Sequence, residues 1–355
     1  MLSRRVTLIA IIAALSGVSE LTLGAHAGPR LSDPLEGATL GDTPVLVRLY
    51  FSEQPEPSLS TIRVLDTRGA AYQTGRPTSV PGDPLSLAVG VRTLPKGVYV
   101  VNWRVVSAVD GHVTAGTYAF GVRMTPAAAG TQTASTASSF FEILARFILI
   151  AGLVVLLGFA AARVARVADT TGLAVGAWGW FLATLGLALL ATAQRNSASA
   201  SWAALVKTSV GHALIWRAVA LGAAGLALLC VRLAPVRFRA TATSVVALAA
   251  LTSMAVHVSN GHAAAGGRWP PLAAVAVQWM HFAAVGLWVG GLGMLWLRIR
   301  GTPSAATSTA VRRFSVLAGV GLFLVAATGA VLTAGVVSSW SKSWTELTST
   351  GYGRT

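Results

Sequence analysis

The stretch Gly97-Val-Tyr-Val-Val-Asn-Trp-Arg-Val-Val-Ser-Ala-Val-Asp-Gly-His112 decides how the first third of the chain folds. Tyr99, Val101, Trp103 and Val105 recur at every second position, the period of a strand with one face buried and the other in solvent. The Asp110-Gly111 step that follows is a turn signal. Asp110 and His112 therefore stand two residues apart at the end of a strand, a carboxylate beside an imidazole. A hard oxygen and a borderline nitrogen donor suit a divalent transition metal. Taken alone, the pair also reads as a turn residue next to a surface histidine.

Composition governs the remainder. Of 355 residues 54% are hydrophobic and 11% charged, and the mean hydropathy is +0.66, too apolar for an ordinary soluble protein. Six apolar runs reach the ~20 residues that a helix needs to cross a bilayer. They lie near Phe140 to Ala162, Gly172 to Ala193, Ala213 to Val231, Ala242 to Val258, Leu272 to Leu295 and Phe314 to Val337. Residues 125–139, rich in Ala, Thr and Ser, read as a flexible tether between a β-domain at 26–124 and a membrane domain at 140–355.

The net charge of +15 and pI of about 11.5 raise the question of nucleic acid, but the charge is sorted by loop. Arg163, Arg166, Arg232, Arg237, Arg239, Arg298, Arg300, Arg312 and Arg313 fall in three alternate loops, and Arg195, Lys207, Arg268 and Lys342 in the others. That asymmetry is the positive-inside signal of a multi-pass inner-membrane protein with its N-terminal domain outside the cytoplasm. No basic stripe with stacking aromatics is present, so no nucleic-acid partner is expected. The single cysteine, Cys230, excludes a disulfide framework and reads as a small packing residue.

Arg4 and Arg5 precede an apolar run from Val6 to Leu15 and small residues near Ala25, the layout of a secretory signal peptide over residues 1–25. Cleavage after Ala25 leaves His26 as the first residue. Cleavage after Ala27 is the better Ala-x-Ala match and discards His26. The sequence leaves both open.

Three motifs in order across residues 26–122 resemble the CopC copper-resistance family: the opening His26 to Ser32-Asp-Pro34-Leu-Glu-Gly37, then Phe51-Ser-Glu53 with Pro55 and Pro57, then the stretch ending in Asp110-Gly-His112 with Gly116 and Phe120. The resemblance implies an all-β Greek-key domain of cupredoxin-like or Ig-like type, lying in the periplasm and binding Cu(II). By the same resemblance the ligands are His26, chelating through its α-amine and ring if it is terminal, His112 and Asp110. Such a set fits the tetragonal N,O geometry of Cu(II). Glu53 is implied as a weak or outlying contact, or else is a solvated strand-end carboxylate. Residues 26–123 contain no methionine, so Cu(II) alone is expected in this domain.

The membrane half resembles the CopD family through Ser259-Asn-Gly-His262-Ala-Ala, His281-Phe-Ala-Ala-Val-Gly-Leu-Trp288-Val-Gly-Gly291-Leu and Thr328-Gly329. The resemblance implies an all-α polytopic transmembrane bundle that mediates copper uptake or resistance. A faint echo between Thr208-Ser-Val-Gly211-His212 and Thr350-Gly-Tyr-Gly353-Arg354 suggests that the chain is truncated, with about two more helices to follow.

His281 falls near the middle of the fifth run, and an ionisable residue at bilayer depth is a functional candidate. Met254, His257, His262, Met280 and His281 together offer the thioether and imidazole donors that suit Cu(I), and they form a candidate copper path from the outer side. Taken singly, each histidine also reads as an interhelical hydrogen-bonding group and each methionine as packing. Arg146 and Arg217 read as snorkelling side chains.

Three functions follow. The first is capture of Cu(II) by the exported domain and copper uptake through the helices, with a periplasmic donor or acceptor protein as partner. The second is an assembly factor that delivers copper to a cuproenzyme without moving it across the bilayer. The third, an oxygen-activating copper enzyme, is not expected, because Asp110 takes the coordination position that dioxygen needs. Neither a Walker motif nor a phosphorylated-aspartate motif points to a pump.

Overall fold

The alternating run forms a strand whose four alternating residues are all buried: Tyr99, Val101, Trp103 and Val105 are each at most 2% exposed. The computed structural model describes residues 29–126, 132–135, 140–165, 171–261, 269–300 and 305–336. They divide into two units, one joining 24–142 with 191–212, the other joining 143–190 with 213–355. Residues 1–28, which include the expected signal peptide and His26, residues 262–268 with His262, and residues 337–355 lie outside the described residues.

In the first unit the strands are β1 (Pro29–Asp33), β2 (Thr39–Leu40), β3 (Leu46–Phe51), β4 (Thr61–Asp66), β5 (Gln73–Val80), β6 (Asp83–Val91), β7 (Gly97–Val106), β8 (Val113–Val122) and β9 (Gln132–Ser135). One sheet has the order β1-β3-β6-β5; the other has β2-β8-β7-β4, with β9 added beside β8. β3 and β6, and β4 and β7, are neighbours that are distant in sequence, so the chain passes between the sheets in the Greek-key manner expected from the sequence. Both sheets turn their apolar faces inward. Val47, Leu49 and Phe51 from one meet Val101, Trp103 and Phe120 from the other. Phe51 meets Trp103 edge-on at 6.1 Å, and Tyr99 stacks on Phe120 at 5.9 Å, contacts that add to simple area burial.

Part of the stretch 125–139, read from its composition as a tether, pairs with β8. Gln132–Ser135 is an antiparallel edge strand, with Thr114 opposite Ser135 and Thr117 opposite Gln132. The backbone of β8 offers an open ladder there, and an available edge overrides a composition that looks like a linker.

The second unit is helical. The helices, of which α3 and the ends of α1, α2 and α4 belong to the first unit, are α1 (Phe140–Val164), α2 (Thr171–Ser197), the single turn α3 (Trp202–Leu205), α4 (Ser209–Leu233), α5 (Val236–Ser259), α6 (Pro271–Val285), α7 (Gly291–Ile299) and α8 (Ala305–Val336). Among the described residues six segments are long and apolar enough to cross a membrane, the fifth running from Pro271 to Ile299 through α6 and α7. This is a multi-pass membrane protein. Within the fifth segment, Gly286–Gly290 adopts a π-helical turn.

Glycines let the helices approach closely. A Cβ on Gly158 would fall 2.2 Å from the carbonyl carbon of Gly290, and one on Gly186 would fall 2.2 Å from the backbone nitrogen of Leu149. Helices in lipid gain mostly from such close packing, because burial of apolar surface offers them little advantage over lipid contact. Cys230 is exposed, so its reading as a packing residue is corrected.

Candidate metal centre

The Asp110/His112 pair sits in the six-residue connection between β7 and β8, whose last ladder pair is Val106 with Val113. The loop folds on itself. Ser107 N–H donates to the His112 carbonyl at 2.8 Å, and Gly111 N–H to the Ser107 carbonyl at 3.0 Å. Gly111 takes φ +79, a left-handed value that a side chain resists. Asp110 Oδ1 accepts the N–H of His112 at 2.9 Å, an Asx turn that ties the carboxylate to the imidazole backbone. His112 Nδ1 stands 3.9 Å from Asp110 Oδ2. Oδ2 of Asp110 and Nε2 of His112 are both shut off from solvent.

The second sequence motif supports this loop from below. Glu53 is buried, 3% exposed, and accepts a hydrogen bond from the Ser107 hydroxyl at 2.9 Å. It is therefore not the solvated strand-end carboxylate. The same Ser107 oxygen accepts Val109 N–H at 3.1 Å, while Ala108 N–H donates to the Gln54 carbonyl and Glu56 N–H to the Val106 carbonyl, both at 2.8 Å. Phe51-Ser-Glu53 thus anchors in the core through Phe51 and holds the 107–112 loop through Glu53.

The segment 191–212 completes the surroundings. Gln194 Nε2 donates to the Asp110 carbonyl at 3.3 Å, Ser209 Oγ to the Ala108 carbonyl at 2.5 Å, and Arg104 Nη1 to the Ala198 carbonyl at 3.3 Å. Burial holds the Arg104 guanidinium below its ordinary pKa. Ser107, Gln194 and Ser209 escaped sequence reasoning, since no periodicity or spacing marks a residue whose partner lies 54, 84 or 101 positions away.

Asp110 and His112 supply one oxygen and one imidazole donor within reach of a single ion, a chemistry that fits Cu(II). Among the described residues no group of three or more His, Cys, Asp or Glu side chains gathers into a metal site. His26, expected as a third ligand, lies outside them.

In the helical unit, among the described residues, Met254, His257, Met280 and His281 do not form one cluster; His262 lies outside them. The rings of His257 and His281 both face Phe282, at 6.2 and 6.5 Å. His281 Nδ1 lies 2.9 Å from Thr328 Oγ1, which joins two of the short sequence motifs. Met254 is buried and faces Gly286. Met280 is 40% exposed, and as neighbours on one helix Met280 and His281 point about 100° apart, so they do not converge on one ion. Arg217 does not snorkel: it is 4% exposed and donates to the Val256 carbonyl at 3.4 Å.

Residues 30–123 match the CopC domain. The crystal structure of CopC from Methylosinus trichosporium OB3b is 32% identical, over 27% of this chain and 93% of that one, with a TM-score of 0.26. The β-domain belongs to the CopC family. PcoC from Escherichia coli, a methionine-rich copper resistance protein, is 28% identical over 28% of this chain and 99% of its own, with a TM-score of 0.23. Its selenomethionine form is 30% identical over 27% and 98%, also with a TM-score of 0.23. No curated protein is similar enough to match. CopC is a family of copper-binding and copper-resistance proteins, not of enzymes, and copper is the expected ligand of such a domain. In contrast to the methionine-rich PcoC, the matched region here contains no methionine.

Proposed function

We propose that the exported CopC domain captures Cu(II) with Asp110, His112 and a His26 left terminal by cleavage after Ala25, and that a CopD-like helical domain carries copper across the inner membrane. The observation behind this reading is the shielded Asp110/His112 pair on a CopC-family loop, in the same chain as six helices able to cross a membrane. Copper is cargo here. Asp110 and His112 present oxygen and nitrogen donors, the Asx turn keeps them adjacent, and Glu53 fixes the loop through Ser107. His257 and His281, grouped around Phe282, are the membrane residues best placed for Cu(I), with the hydroxyl of Thr328 orienting the His281 ring.

The test uses the full chain expressed in cells lacking their own copper importers. Cytoplasmic copper should rise with the wild type and return to background with His112→Ala. If copper does not rise, while a periplasmic cuproenzyme still gains metal, the assembly-factor reading replaces this one. An unchanged Cu(II) paramagnetic resonance spectrum in purified His112→Ala removes the site.

A further inference from the structure

At one end of the helical unit α2 and α4 stand apart around a cavity of about 850 Å³. Leu173, Ala177 and Trp180 of α2 and Gly225, Leu226 and Leu229 of α4 make its walls apolar. The Trp180 indole N–H is already engaged by the Leu221 carbonyl at 2.7 Å, so the ring serves as wall rather than as a donor. Leu226 and Leu229 are 68% and 52% exposed, which opens the cavity sideways to the surrounding bilayer.

Among the described residues three charged residues line it, all cations at the same end: Arg163 in the last turn of α1, Arg232 in the last turn of α4 and Arg239 at the start of α5. Arg163 Nε donates to Thr243 Oγ1 and Arg239 Nε to the Ala234 carbonyl, both at 3.3 Å, which sets the two guanidinium groups by their Nε and not by their outer nitrogens. None of the three forms an ion pair among the described residues, and the described residues of this unit include no Asp or Glu. Asp169, the acid nearest in sequence to Arg163, lies outside them.

A cluster of cations beside an apolar slot matches a ligand with an anionic head and a hydrocarbon body. The slot runs along α4 from Arg232 back to Gly222, ten residues or ~15 Å at the helical rise, about half the ~30 Å hydrocarbon core and so one leaflet deep. A Cβ on Gly222 would meet nothing within 4 Å, so the slot is open at that depth. A free phosphate has no use for these walls, and a zwitterionic lipid leaves the arginines without a net partner. We infer that this cavity is a binding site for one anionic phospholipid of the arginine-rich leaflet, its phosphate held by Arg163, Arg232 and Arg239 and one acyl chain lying between α2 and α4.

Native mass spectrometry of the full chain in mild detergent tests this, with phosphatidylglycerol, phosphatidylcholine and glycerol 3-phosphate added in turn. One phosphatidylglycerol should be retained through several washes, and phosphatidylcholine should not. The exposed Arg232 allows Arg232→Gln without core disruption; combined with Arg239→Gln it should weaken phosphatidylglycerol retention at least tenfold. Gly222→Leu, which fills the slot and keeps all three arginines, should do the same. Equal retention of the two lipids, or phosphatidylglycerol retention unchanged in both variants, would overturn the proposal. Tight binding of glycerol 3-phosphate that Gly222→Leu leaves intact would overturn it in favour of a soluble phosphate site.

Discussion

Ser107 and Gly111 govern the metal loop although neither is a candidate ligand. Ser107 links the buried Glu53 carboxylate to the loop backbone, and partners of that kind typically contribute ten- to hundredfold to metal affinity by orienting the ligands. Ser107→Ala in the full chain should weaken Cu(II) binding about tenfold, measured by competition with a chelator, with the resonance spectrum still showing the same donor atoms. Gly111 sits at φ +79, and a Cβ there would press to 3.3 Å from Gln194 Nε2 and Val210 Cγ1. Gly111→Ala should therefore cost about 1–3 kcal/mol. Calorimetric melting would show it, and an unchanged melting temperature would mean that the loop relaxes without strain.

At the scale of elements, β3 and β6 are held by more than their ladder. Asp83, at the start of β6, accepts hydrogen bonds from the Ser86 hydroxyl and from Arg48 of β3, the latter at 2.6 Å. These contacts, the Ser86 hydroxyl foremost, hold its carboxyl below the ordinary aspartate value. A depressed carboxyl contributes stability that is present above the unfolded pKa, near 3.8, and is lost as pH falls through the lower folded value. The melting-temperature gap between wild type and Asp83→Asn should therefore be constant near neutrality and close as pH drops from about 4. A gap that persists at pH 2 would assign the difference to packing. In the helical unit, the π turn at Gly286–Gly290 lies where Gly290 meets Gly158. The turn shifts the helical register, so the two halves of the fifth segment present different faces to their neighbours.

For the whole molecule, the residue at which the mature chain begins decides what chemistry the β-domain can do. Mass spectrometry of protein recovered from membranes should show a chain beginning at His26, which supplies an α-amine and a ring to the metal. A chain beginning at Gly28 leaves Asp110 and His112 to bind alone. Its affinity should then match that of a His26→Ala variant.

Sequence alone determined which face of β7 is buried and which segments are apolar enough to cross a bilayer. Alternation at Tyr99, Val101, Trp103 and Val105 reports which side of a strand avoids water, and apolar length reports which segments suit a bilayer. Both are local consequences of solvent exclusion, so a one-dimensional pattern carries them. The Asp110/His112 pair was legible for the same reason, because two residues of one turn are close in any fold. Only tertiary structure decided that Glu53 turns inward to Ser107, that His281 meets Thr328, that Arg217 is buried, and that residues 132–135 extend a sheet. Each of these depends on which element supplies the missing hydrogen-bond partner or open edge. Periodicity states that a face is covered; it does not state by what.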